Sequence, residues 1–175
     1  MSSDYDLAIV GGGLAGSSLA FNFAKGGARV VVLEREPEFR DRVRGEGMLP
    51  WGGVEARELG IRDPLLERCA IETRWWTAPE DNRDLIETTP AGLGCPNFYH
   101  PEMQQALLDL AVKAGAELKR SAETVRVIRG DRPGIVFREN GLEQKLGARH
   151  VVGADGRNSR VRALAGFPSN ATQIV

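Results

Sequence analysis

The sequence predicts an α/β fold, a mainly parallel sheet with helices and an appended antiparallel β-meander. Three observations carry that expectation. The first 34 residues read as strand, helix, strand, the unit from which parallel sheets are built. From Ala116 onward the pattern turns to short alternating segments. Between two of these stands Asn140-Gly141, a strong two-residue hairpin signal.

Tyr5 to Val10 is a short apolar run ending in glycines, as expected of a buried strand. Leu14 to about Lys25 reads as a helix stopped by Gly26-Gly27. Its first turns hold Ala15, Gly16, Ser17, Ser18 and Ala20, small enough to let helix and strand approach closely. Arg29 to Leu33 is continuous and β-branched, the pattern of a parallel strand covered on both faces. After the basic stretch "EFRDRVRGEGMLPWGG" a helix is expected over Val54 to Leu59. Ile71 to Thr77 and Leu85 to Thr88 read as extended segments around the polar turn "APEDNRD", and "PAGLGCPNFYHP" reads as a loop. Trp75 and Trp76 are adjacent in an extended segment, so one is expected to face inward and the other outward; a core or sheet-packing role is expected, the alternative being that one of the two, at most, faces a substrate cavity. Met103, Leu107, Leu110 and Ala114 share one helical stripe, which Gly115 caps. "TVRVI" and "GIVF" alternate, the hairpin joins "IVFRE" to "LEQKL", and "ARHVVGADG" is a strand running into an Asp-Gly turn.

At 175 residues the chain suits one domain with a proper core. Hydrophobic residues make up 42% and charged residues 27%, and the net charge of -1 gives no electrostatic reason to expect nucleic acid or an anionic membrane as partner. No apolar run approaches the length of a bilayer, and "MSSDYD" has no basic leader, so a soluble, cytoplasmic protein is expected. Cys69 and Cys95 stand far apart and His100 and His150 are unclustered, which favours reduced thiols and gives no metal site.

The chemistry begins in the first turn. Gly11, Gly13 and Gly16 fit G-x-G-x-x-G between a strand and a helix, where a Rossmann-like fold binds FAD or NAD(P). The first glycine permits the tight turn, the second lets a pyrophosphate approach the backbone, and the third lets the helix pack on the sheet. Leu14 and Ala15, at the helix N-terminus, then offer their N–H groups to phosphate. Glu34 lies 21 residues after Gly13 at the end of the second strand, placed to accept from ribose hydroxyls, with Arg35 beside it. An acid there disfavours a 2′-phosphate, so the dinucleotide is expected to be FAD or NAD rather than NADP. A solvated strand-end glutamate is the alternative.

A second motif narrows the choice. "HVVGADGRNSRVRALAGF" closely resembles the Gly-Ala-Asp-Gly-x-x-Ser-x-Val-Arg signature of FAD-dependent aromatic hydroxylases, the class A flavoprotein monooxygenases typified by para-hydroxybenzoate hydroxylase. The resemblance implies that Asp155 and Gly156 lie near FAD and help to organise the flavin and NAD(P)H sites; a plain helix cap at Asp155 is the alternative. "DRVRGEGMLPWGGVEARELG" resembles the family segment in which an arginine contacts FAD, with Arg44 the best match and Arg42 second. The alternative there is an exposed basic loop. "GEGMLP" is also similar to flavin halogenases and geranylgeranyl reductases, which leaves a reductase or halogenase branch open. His100 falls where the family carries Arg or Gln pointing at the flavin, so either a flavin contact or a surface histidine is open. The resemblance runs over residues 4 to about 166, the expected FAD-binding domain being 1–166. It implies that residues 167–175 begin a substrate domain that does not follow, so that self-association or a complementary segment would complete the fold. The implied function is the FAD-binding portion of an NAD(P)H-dependent monooxygenase acting on an aromatic or polyketide-like small molecule. An NAD-dependent dehydrogenase and a non-catalytic nucleotide-binding module are the rival readings.

Overall fold

The glycines after Val10 end β1 (Tyr5–Val10) and open α1 (Leu14–Lys25), which returns the chain to β2 (Val30–Glu34). This is the unit read from the sequence, with β2 shifted by one residue. The computed structural model describes residues 4–41 and 46–168. It divides into two compact units, Met1–Pro37 with Ala111–Val175, and Glu38–Leu110.

The next elements are α2 (Pro50–Glu58), α3 (Arg62–Arg68), β3 (Ala70–Thr73), β4 (Trp75–Ala78), β5 (Asp81–Asp84), α4 (Leu85–Thr88), β6 (Cys95–Phe98) and α5 (His100–Lys113). Then follow β7 (Glu117–Arg120), β8 (Glu123–Ile128), β9 (Gly134–Glu139), β10 (Leu142–Gly153) and α6 (Arg160–Leu164). The unit that holds both chain ends is built on one six-stranded sheet in the order β7-β2-β1-β10-β9-β8. β7, β2, β1 and β10 run parallel, whereas β10 with β9 and β9 with β8 are antiparallel. The parallel sheet and the appended meander are thus one continuous sheet.

β10 makes that continuity. The sequence suggests two short segments, but one 12-residue strand spans Leu142–Gly153. Its first half pairs with β9 and its second half with β1, Ala148 being opposite Tyr5. Asn140 (φ 52°) and Gly141 (φ 79°) form the predicted turn, with Leu142 opposite Glu139. Val30 to Leu33 are buried on both faces, as their β-branched run requires. Ala8, Val31, Leu33, Ile135, Phe137 and Val161 belong to the core beside them. Fully burying such a side chain contributes about 1.5–3 kcal/mol, so this core holds the turns described below in place.

Four expectations for the Glu38–Leu110 unit need correction. Leu85–Thr88 is a helix, not an extended segment, because Asp84 caps it by accepting from the N–H groups of Ile86 and Glu87. Cys95–Phe98 is a strand inside the expected loop, paired antiparallel with β3 so that Ala70 faces Phe98. α2 begins at Pro50, four residues before the expected start, because proline suits a first helical turn whose N–H groups lack intrahelical partners. Trp75 and Trp76 are both exposed, at 56% and 49%, because the two-stranded β4–β5 ribbon that carries them buries neither face over the indoles.

Cys95 is buried and Cys69 half-buried, both as free thiols, and burial pushes each thiol's pKa up. Neither is therefore an activated nucleophile at neutral pH. Among the described residues no helix is long and apolar enough to cross a membrane.

Candidate dinucleotide site

β1, β2 and β10 end level with one another, Val10 standing beside Leu33 on one side and Gly153 on the other. The strand order reverses beside β1, with β2 and β7 following on one side and the later β10 on the other, and open parallel sheets hold ligands outside the carboxyl ends of strands at such a point. Two turns emerge there. Gly11 N–H donates to Leu33 O (2.8 Å), and Ala154 N–H donates to Val10 O (2.8 Å). The glycine turn and the Asp155-Gly156 turn are therefore neighbours on one edge of the sheet.

Their approach is close enough to exclude a methyl group. Gly11 has φ +104°, and a Cβ on it would lie 2.5 Å from Ala154 O and 3.0 Å from Asp155 Cα. A Cβ on Gly16 would lie 1.9 Å from Gly11 O and 3.3 Å from Ala154 Cβ. The third glycine is therefore required by the turn itself and by the neighbouring turn, more than by the sheet face. Gly13 is the N-cap of α1 and makes no side-chain cap, and no acidic residue occupies the first turn. Leu14 and Ala15 are exposed there. The positive end of a 12-residue helix is left open to an anion.

Glu34 is 8% exposed at the end of β2. Its Oε2 accepts from Gly12 N–H (2.7 Å) and its Oε1 from Glu36 N–H (2.8 Å). An ionised carboxylate has about four acceptor positions, so each oxygen keeps a second one beyond these two bonds. Three supports were not singled out in the sequence. Ser17 Oγ, fully buried, donates to Gly12 O (2.8 Å). Ala122 N–H donates to Glu34 O (3.0 Å), and an Arg120 guanidinium N–H donates to Glu36 O (3.1 Å). A hydroxyl one residue after the last glycine was a usable signal for Ser17. Nothing local marks Arg120, which lies 84 residues from its acceptor.

Asp155 carries the capping alternative named above. Its Oδ2 accepts from Arg160 N–H (2.7 Å) and Val161 N–H (3.0 Å), and its Oδ1 from Ser159 Oγ. Ser159 Oγ in turn accepts from Arg162 N–H. The carboxylate thus holds its own turn against α6, and Gly156 supplies the positive φ of 88° that the turn needs. Arg35 is exposed and paired with Glu36 (3.2 Å). Arg44 and Arg42 lie outside the described residues, and His100 opens α5 in the other unit.

A backbone cradle closed to side chains, an uncapped helix N-terminus and an acid at the neighbouring strand end fit the adenosine diphosphate half of a dinucleotide. A sequence model of the FAD binding domain matches residues 4–175. The chain belongs to that FAD-binding family. It is 32% identical to the rifampicin monooxygenase of Streptomyces venezuelae over 177 aligned residues, 97% of this chain and 36% of that protein. It is 31% identical to the 6-methylpretetramide 4-monooxygenase of Streptomyces rimosus, covering 97% of this chain and 42% of that protein. Its fold superposes on p-nitrophenol 4-monooxygenase PnpA of Pseudomonas putida DLL-E4 with a TM-score of 0.82 at 21% identity, covering 95% of this chain and 44% of that one. The FAD-binding chain thus spans about two-fifths of the length of these relatives.

Proposed function

We propose that the chain is the FAD-binding portion of an NAD(P)H-dependent flavin monooxygenase that hydroxylates an aromatic or polyketide-like small molecule in the cytoplasm. The observation that carries the FAD assignment is the pairing of two motif turns at one sheet edge, with Glu34 hydrogen-bonded to the glycine turn. The monooxygenase assignment is supported by the names of relatives aligned over 97% of this chain. Two free thiols suit a reducing compartment.

Bound FAD supplies the redox chemistry: two electrons from NAD(P)H, with one atom of O2 passing to the substrate and the other leaving as water. The chain's residues bind and orient. The N–H groups of Gly13, Leu14 and Ala15 receive the pyrophosphate at the positive end of α1. The free acceptor positions of Glu34 take the ribose hydroxyls, whose pairing costs nothing in rearrangement because Gly12 and Glu36 already fix the carboxylate. Asp155 and Gly156 set the second turn, and through it the wall against which Gly11 packs.

The test is an absorbance titration of the purified chain with FAD. Saturable binding with perturbed flavin bands and quenched flavin fluorescence is expected. Saturable binding of NAD with none of FAD would overturn the reading in favour of a dehydrogenase, and binding of neither would favour a non-catalytic module.

A further inference from the structure

The glycine turn contains two successive peptide units, Gly11–Gly12 and Gly12–Gly13, and no Cβ restrains the rotation of either. The first unit is held at both ends. Gly11 O lies against Gly16, where a Cβ would meet it at 1.9 Å, and Gly12 N–H donates to Glu34 Oε2 (2.7 Å). The second unit is held by Ser17, whose Oγ donates to Gly12 O (2.8 Å).

A serine inside a helix ordinarily turns its hydroxyl back on the carbonyl three or four residues earlier. Ser17 reaches further. Its N–H takes the carbonyl four residues back, Gly13 O (2.9 Å), and its hydroxyl takes the one five back, two residues before α1 begins. Ser17 is fully buried, so water does not replace that bond when it is lost. A planar trans peptide points its N–H opposite to its C=O. With Gly12 O drawn toward the buried Ser17, Gly13 N–H is turned the other way. It then stands with the N–H groups of Leu14 and Ala15, which the first turn of α1 leaves without intrahelical acceptors.

We infer that Ser17 is a positioning residue, its hydroxyl locking the Gly12–Gly13 peptide in the orientation that lets Gly13 N–H donate to a pyrophosphate. The inference rests on the dinucleotide reading and adds a division of labour to it. Glu34 is held by Gly12 N–H, which belongs to the preceding peptide unit, and by Glu36 N–H. Releasing the lock therefore leaves the ribose acceptor in place and disturbs the phosphate donors alone. A buried side chain that touches no ligand sets the preference for a nucleoside diphosphate over the bare nucleoside.

The test titrates the chain with ADP and with adenosine, following glycine amides by NMR after labelling with ¹⁵N-glycine. In the wild-type chain ADP is expected to move the Gly13 amide proton downfield, and adenosine to leave it in place. Ser17→Ala should weaken ADP about tenfold, the scale of one lost hydrogen bond, and leave the affinity for adenosine unchanged. A merely structural role for Ser17 would weaken both ligands alike, so equal losses, or no loss of either, overturn the proposal. Where Ser17→Ala does not fold, the wild-type chain decides: a Gly13 amide that ADP does not move overturns the lock equally. Wild-type FAD binding, read separately by flavin absorbance, keeps the two readings apart. Its absence overturns the dinucleotide reading and the lock together, whereas saturable FAD binding without the ADP-against-adenosine difference overturns the lock alone.

Discussion

Replacing Glu34 by alanine tests two roles of one carboxylate. In the unliganded chain it removes the acceptors of Gly12 N–H and Glu36 N–H. Gly12 is buried, so its orphaned N–H costs close to the full desolvation penalty, whereas Glu36 is half-buried and water recovers part of the loss. With about 1–3 kcal/mol for each unsatisfied buried donor, the expected destabilisation is about 2–4 kcal/mol. A domain stable by about 5–15 kcal/mol remains folded. The urea midpoint should fall by about 1–2 M. Dinucleotide affinity should fall by a further ~1–3 kcal/mol as the ribose hydroxyls lose a buried acceptor. Urea melts with and without saturating FAD separate the two losses. An unchanged midpoint without ligand refutes the hydrogen bonds from Glu34 to the turn. A lowered midpoint with unchanged FAD affinity refutes the ribose contact and leaves Glu34 a purely structural clamp.

Gly16→Ala places a Cβ 1.9 Å from Gly11 O, so backbone must move; a cost of about 3 kcal/mol in urea melts is expected, and a neutral effect would mean the turn is looser than described. Asp155→Ala removes the acceptor of Arg160 and Val161 N–H and should cost about 0.5–2 kcal/mol, with faster amide exchange at those two residues in NMR. In the other unit the Arg74 guanidinium donates twice to Asp84 Oδ2, and those hydrogen bonds hold the Asp84 carboxyl below its ordinary value of 3.8. The unfolded chain then takes up this proton first, so the stability is fully present above 3.8 and is lost as pH falls through the lowered folded value. Asp84→Asn should therefore flatten the acid limb of stability against pH, and an unchanged limb would assign it to other carboxylates.

Legibility in the sequence follows the range of the interactions. β1, α1 and β2 were readable almost to the residue because each is specified by its own neighbours: glycines at both helix ends and a β-branched run that can only be buried. The Asn140-Gly141 turn is local in the same sense. α4 is not legible in the sequence because four residues carry no period, and only the Asp84 cap with its two N–H bonds decides them. β6 is hidden in the sequence because Pro96 and the glycines before it resemble a loop, while its strand conformation comes from pairing with β3 more than twenty residues earlier. The exposure of both tryptophans could not follow from alternation, which states that two faces exist but not that anything covers either.

At the candidate site the same division separates the glycines from the groups that make them informative. Gly11 and Gly16 are required by contacts within the protein, against Ala154 and against the turn's own carbonyl, whether or not a nucleotide binds. Their spacing therefore testifies to two tightly packed turns. What points to a nucleotide is the combination left over once packing is satisfied. The N-terminus of α1 has neither a capping side chain nor an acid, although either would stabilise it by about 0.5–2 kcal/mol. Beside the same turn, a buried carboxylate is fixed by two N–H groups and keeps acceptor positions unused. A fold selected for stability alone would use the acid to cap the helix. This one ties the carboxylate to the turn before the helix and to Glu36 N–H instead of to the first N–H groups of α1, which leaves acceptor positions on the one and donors on the other in the way that a ribose next to a pyrophosphate would satisfy.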